Sequence, residues 1–212
     1  FRRVLFRSVI AGQSSGVVIH DSVNLEMMGC AIYANRSPGL LVEHCVFATP
    51  KISSLVIDNT AVQSVTLRHN IFTDMLEKKS IVNSPGAEIE DIAALKMENN
   101  SFFFRSFPPE TRIMFAEIDN VHHKVKCLLT IAEYENRTRP SGAIFADPQF
   151  AGVVELLARG VKPMAYTPEM LTADPTTKLD FSSYFTTNPL LLERKIGLQP
   201  ERFADMASSS QN

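Results

Sequence analysis

The sequence predicts an all-β chain built as a single-stranded solenoid, with coils of roughly 24 residues stacked on one another. Three observations lead there. Asn35, Asn59 and Asn83 recur 24 residues apart, each just after a short apolar run. A second column is offset from the first: Leu41-Val42-Glu43-His44-Cys45-Val46-Phe47 aligns with Thr66-Leu67-Arg68-His69-Asn70-Ile71-Phe72 and then with Lys96-Met97-Glu98-Asn99-Asn100-Ser101-Phe102. The repeating runs are short, rich in Val, Ile, Leu and Phe, and separated by Gly, Pro, Ser and Asn, which is strand-and-turn chemistry. Few windows before Asp147 carry an apolar stripe of helical period.

The elements follow in order. Residues 1–8, Phe1-Arg2-Arg3-Val4-Leu5-Phe6-Arg7-Ser8, can be written in codons that match the end of a common sequencing-library adapter. On that reading they are an artefact, the native chain starts near Val9, and coils N-terminal to it belong to a longer protein. Their three arginines are therefore not counted as a nucleic-acid or membrane patch. Residues 9–150 are the coils. Val18-Ile19-His20-Asp21-Ser22-Val23-Asn24 is a weaker first copy. In Val65-Thr66-Leu67-Arg68 apolar and polar residues alternate, so one face goes inward. Asn70 and Phe72 fall on the opposite parity, and a bend between Leu67 and Asn70 turns all of Val65, Leu67, Asn70 and Phe72 inward. Phe102-Phe103-Phe104 and Pro108-Pro109 break the period; residues 113–118 and 125–131 then read as longer strands of a final coil or two, with a protruding loop between them. Residues 151–212 are an irregular capping segment with a short helix near 153–160, followed by a flexible tail. A cap is needed because an open solenoid end exposes core and unpaired strand groups.

The pattern apolar-x-apolar-x-x-Asn-x-Phe in Val65 to Phe72 resembles the coil signature of right-handed parallel β-helix proteins, the pectin-lyase-like solenoids. Lys96 to Phe102 fits from its second strand position onward, and Cys45 stands where Asn is usual. The resemblance covers roughly residues 15–150. Ala143-Ile144-Phe145-Ala146-Asp147-Pro148-Gln149-Phe150 is similar to the segment that closes bacterial members, and Asn188-Pro189-Leu190-Leu191 to a short terminal segment that follows it. The resemblance implies a side-chain ladder of Cys45, Asn70 and Asn100 beside Phe47, Phe72 and Phe102, with Asn35, Asn59 and Asn83 as a further column. An inward amide must find partners or cost a few kcal/mol; amides stacked at strand spacing partner each other.

Composition narrows the functions. Net charge is −2, so nothing draws nucleic acid in general. No apolar stretch reaches the ~18 residues of a membrane span. Cys30, Cys45 and Cys127 lack metal-ligand spacing, and the first two sit in different columns, which argues against a disulfide. No Gly-rich phosphate loop, Gly-x-Ser-x-Gly elbow or His-Glu-x-x-His motif is present.

Two groups hold candidate chemistry. Asp21, His44, His69 and Asn99 share one repeat position and form a column at about 4.8 Å spacing. Two imidazoles and a carboxylate suit acid–base catalysis or a metal. The same position also suits a bend, because Asn, Asp and His tolerate turn geometry. Asp21, His44 and His69 are the catalytic candidates. The neighbouring column His20, Glu43, Arg68, Glu98 reads as an ion-pair ladder or a substrate groove. His122 and His123 are candidate metal ligands, although neighbours on a strand point to opposite faces. No cofactor is evident; calcium is implied only by the resemblance.

The resemblance implies two functions. The first is the C-terminal part of a secreted or cell-surface protein that binds or processes polysaccharide, as a lyase or glycoside hydrolase if enzymatic. The second is a non-catalytic, adhesin-like structural solenoid. The phenylalanines occupy inward positions and there is no Trp, which speaks against sugar stacking.

Overall fold

A computed structural model describes residues 9–25, 30–48, 53–58, 60–73, 80–85, 94–104, 113–119, 124–137, 142–151 and 184–202. Residues 1–8, the expected helix at 153–160, Asn59, His122 and His123 lie outside the described residues.

The chain runs through three short strands per round and returns, over four rounds. The first round holds β1 (Val9–Gly12), β2 (Val18–His20) and β3 (Val23–Leu25). The second holds β4 (Cys30–Asn35), β5 (Leu41–Glu43) and β6 (Val46–Ala48). The third holds β7 (Ser53–Asp58), β8 (Thr66–Arg68) and β9 (Ile71–Thr73), and the fourth β10 (Ser80–Asn83), β11 (Lys96–Glu98) and β12 (Ser101–Phe103). Then come β13 (Ile113–Asp119), β14 (Lys124–Thr130) and two short helices, α1 (Ile131–Arg137) and α2 (Pro189–Glu193). The strands form three sheets, ordered β1-β4-β7-β10-β13-β14, β2-β5-β8-β11 and β3-β6-β9-β12. Each strand from β1 to β10 pairs in parallel with the strand three elements later. The protein is all-β in character, with parallel sheets and few helices.

Register follows the buried residues. On the second sheet Val18 faces Leu41, Leu41 faces Thr66 and Thr66 faces Lys96, steps of 23, 25 and 30 residues. The extra length goes into connections. Val65, Leu67, Asn70 and Phe72 are all buried. Asn70 and Asn100 form an amide ladder: Asn70 Nδ2 donates to Asn100 Oδ1 and to the Val42 carbonyl, and Asn100 Nδ2 donates to the Leu67 carbonyl. Each side-chain oxygen also accepts the backbone N–H of the rung before it, from Cys45 and Asn70, at 3.0 Å. Cys45 fills the same column as a buried thiol, its pKa pushed up to about 12 by burial. Beside the amides, the Phe47 and Phe72 rings stack at 5.0 Å and Phe72 and Phe102 at 5.4 Å. Such pairs contribute ~0.5–1.5 kcal/mol beyond their buried area. Asn24 pairs in register with Phe47, which is why the first copy is the weakest match.

Of the asparagine column expected at Asn35, Asn59 and Asn83, the described members Asn35 and Asn83 are out of register with each other. Asn35 pairs with Asp58, whereas Asn83 pairs with Val56. The sheet aligns the buried Ile32, Leu55 and Val82 instead. A longer connection before β10 then takes equal sequence spacing out of register.

The second departure lies beyond the fourth round. β13 adds to β10 in parallel, but β14 pairs with β13 in antiparallel fashion, from Ile113↔Thr130 to Asp119↔Lys124. β13 and β14 are therefore an antiparallel pair on the sheet edge and not a further coil. A short connection permits only antiparallel return, since a parallel crossover needs a dozen residues or more. Ile131, expected to end a strand, starts α1. Thr130 and Glu133 bond reciprocally: Thr130 N–H donates to Glu133 Oε2 at 2.8 Å, and Glu133 N–H donates to Thr130 Oγ1 at 3.2 Å. That is a capping box, and Thr130-x-x-Glu133 was visible in the sequence. α1 places Ile131 and Tyr134 in the main core, with the Tyr134 hydroxyl donating to the Leu95 carbonyl just before β11. This helix closes the interior over the last full round.

Replacing Asn70 by Ala strands several buried partners, so chemical denaturation should show a loss of about 2–5 kcal/mol. Phe72→Ala should cost about 3–5 kcal/mol. Arg68→Ala, on the surface, should cost under about 1 kcal/mol.

Candidate functional site

Asp21, His44, His69 and Asn99 each open the gap between a strand of the second sheet and one of the third. All four have left-handed backbones, with φ of 51°, 53°, 56° and 49°. A single left-handed residue turns the chain between the two strands, and Asn, Asp and His are the non-glycine residues that best tolerate it. Their backbone N–H groups tie rung to rung: His69 donates to the Glu98 carbonyl at 3.0 Å, and Asp21 to the Glu43 carbonyl at 3.3 Å. Gly142 is a fifth member, with φ of 70°. After it, Ile144 bridges Ser101 in parallel, and Phe145 approaches Phe102 at 6.2 Å. The sequence carried this signal, because Gly142-Ala143-Ile144-Phe145 repeats the spacing of Asn99-Asn100-Ser101-Phe102 with Gly at the turn.

The catalytic candidates are thus brought together. The His44 and His69 rings lie 5.2 Å apart at 51°. Asp21 is buried; its Oδ2 accepts from His20 Nδ1 at 2.7 Å and from Arg202 Nη1 at 3.2 Å. Asp21 Oδ1 and His44 Nδ1 are buried without a hydrogen-bond partner. Burial, then the positive charge of Arg202, then His69 push the His44 pKa below its ordinary value; Glu43 and Asp21 oppose this weakly.

A strap covers the column. Residues 184–202 are a described part of the 151–212 segment expected to cap the coils and end as a tail. They lie along the flank, over the outward side of the third sheet. Asn188 caps α2 by accepting from Leu190 N–H at 3.0 Å, and its Nδ2 donates to the Asp147 carbonyl at 2.7 Å. Leu191, Ile196 and Leu198 pack with Val23, Val46, Ile71 and Ile144 in a second core. Gly197 N–H donates to the His69 carbonyl at 2.8 Å, and the Lys195 carbonyl lies 3.3 Å from His69 Nδ1. Arg202 then reaches Asp21. The physical reason for the strap is the outward apolar column: Val23, Val46 and Ile71 are fully buried only because something lies on them.

In the neighbouring column, His20, Glu43, Arg68 and Glu98 are in register. Arg68 Nε and Nη2 both reach Glu43 Oε2 at 2.8 Å. His20 turns to Asp21 rather than to Glu43. Among the described residues no group of three or more His, Cys, Asp or Glu could hold a metal ion. No described helix is long and apolar enough to cross a membrane. No family model, curated protein or solved structure matches this chain.

His69→Asn should keep the turn and leave stability within about 1 kcal/mol, while His69→Val should cost about 1–2 kcal/mol, read by thermal unfolding. Gly197, at φ 83°, would place a Cβ 2.5 Å from Ile71 Cδ1. Gly197→Ala should therefore destabilise by about 1–3 kcal/mol and loosen the strap first, seen as faster amide exchange at 195–198.

Proposed function

We propose that this chain belongs to a right-handed parallel β-helix and that its described part is a non-catalytic scaffold, a rigid spacer of a secreted or cell-surface protein. Right-handedness rests on the general hand of parallel crossovers, which is right in about 98% of cases. One observation carries the scaffold reading. The groups best suited to chemistry, Asp21, His44 and His69, are committed to left-handed turns; Asp21 and His44 are buried, the strap closes an ion pair on the carboxylate, and its Lys195 carbonyl sits 3.3 Å from the His69 ring. A general acid or base must reach its substrate within hydrogen-bond distance, and this column is occupied by the chain itself.

A second reading, polysaccharide binding, is favoured by a different face. The outward residues of β8 and β11 form a half-exposed to exposed polar patch, with Thr66, Lys96 and Glu98 beside the Glu43–Arg68 pair; Val18 and Leu41 continue its Thr66–Lys96 row as apolar residues. Its repeat of about 4.8 Å per rung suits an extended polymer.

A glycan array together with lyase and hydrolase assays on acidic and neutral polysaccharides separates the two. The scaffold reading expects neither binding nor turnover. Binding lost in Arg68→Ala and Lys96→Ala would establish the second reading, and turnover abolished by His69→Asn would overturn the first.

A further inference from the structure

The far end of the described strap has one polar anchor, Arg202 on Asp21, and that anchor lies beside the buried His44. Arg202 holds Asp21 by a single contact of 3.2 Å to Oδ2. The other carboxylate oxygen is buried without a partner, and so is His44 Nδ1 on the next rung. Asp21 and His44 are 4% and 7% exposed, so bulk water does not supply the missing bonds. The two unpartnered atoms sit on neighbouring rungs of one column, spaced at about 4.8 Å. A proton on His44 makes both ring nitrogens donors, so Nδ1 then requires an acceptor, and the free Asp21 oxygen is the one offered by the next rung.

The geometry points to a pH-operated latch: a protonated His44 sets a second positive charge beside Arg202 at the shared Asp21 carboxylate and releases the Arg202 end of the strap. Every charged group around the latch has a defined sense. Arg202 and His69 oppose charge on His44, whereas Glu43 and Asp21 favour it. Glu43 is held by Arg68. His20 sits on the same Asp21 oxygen as Arg202 and competes with it. Lys195, on the strap, presents its carbonyl to His69.

The sign follows from linkage. Burial first, and Arg202 second, hold the strapped His44 below its ordinary value of 6.5. A released His44 meets solvent and binds protons more readily. The released form therefore carries more protons, and the strap weakens as pH falls through 6.5 towards the lower strapped value. Release uncovers the apolar column of Val23, Val46 and Ile71, so the latch links acidity to exposure of a sticky flank.

Amide hydrogen exchange on the full chain tests this, corrected for the intrinsic effect of pH. Between about pH 7.5 and 5, protection of residues 196–202 should fall several-fold, including the Gly197 N–H bonded to His69. The ladder amides of Cys45 and Asn70 should not change. His44→Asn keeps a residue that tolerates the turn, as Asn99 does in the same position, and should abolish the pH dependence. Arg202→Gln should leave the strap end weakly protected at both pH values. Wild-type protection that ignores pH, or an unchanged pH response in His44→Asn, would overturn the latch. If His44→Asn does not fold, the ring ¹⁵N titration of wild-type His44 decides instead. Its midpoint must coincide with that of strap loosening, and separate midpoints overturn the proposal.

Discussion

The turn between the second and third sheets is the constraint on which the rest depends. One left-handed residue per round bends the chain, and the residue after it is driven inward with a polar group to satisfy. At Asn70 and Asn100 that group is an amide whose oxygen takes the backbone N–H of the rung before and whose nitrogen donates to that rung's carbonyl. The bend thus creates a buried polar demand and meets it from the neighbouring round. A single round in isolation would leave these donors and acceptors unpaired, at about 1–3 kcal/mol each. Stacking is therefore obligatory, and the phenylalanine spine beside the amides follows from the same register.

The ends and flanks are handled by different devices. α1 inserts Tyr134 and Ile131 over the last round, and the antiparallel β13–β14 pair ends the parallel growth of the first sheet. The flank of the third sheet is apolar on both sides: Phe72 faces inward while Ile71 faces the strap. Residues 184–202 convert that flank into a second, smaller core. The strap uses two glycine-like features to approach so closely, a bare Cα at Gly197 and a left-handed Lys195. It also places Arg202 against Asp21, which ties the end of the strap to the first round.

Chemistry and architecture compete for the same side chains here. Histidine at a bend can serve as a base or simply as a residue that accepts φ near 55°. With all four of Asp21, His44, His69 and Asn99 in that conformation, and a glycine continuing the column, backbone geometry accounts for the residue types without a reaction. What geometry does not account for is the pair of unpartnered atoms on Asp21 and His44. Those are the residue of polarity left over once the turn has been explained.

The rounds, the bend column, the inward Asn and Phe and the strands around them were legible in the sequence, because each depends on residues within a few positions of one another and on a period that local turn chemistry enforces. Val65, Leu67, Asn70 and Phe72 show this directly: their phase shift marks the bend, and all four are buried. The asparagine spacing of Asn35 and Asn83 misled for the converse reason, since connection lengths vary and register obeys the buried Ile32, Leu55 and Val82. The tertiary structure alone decided that the chain reverses at β14, that a helix at Ile131–Arg137 closes the core, and that the tail runs along the flank. The Arg202–Asp21 contact spans 181 residues, and no local pattern encodes a partner so far away. Only the assembled stack creates the outward apolar column that gives the tail a place to lie.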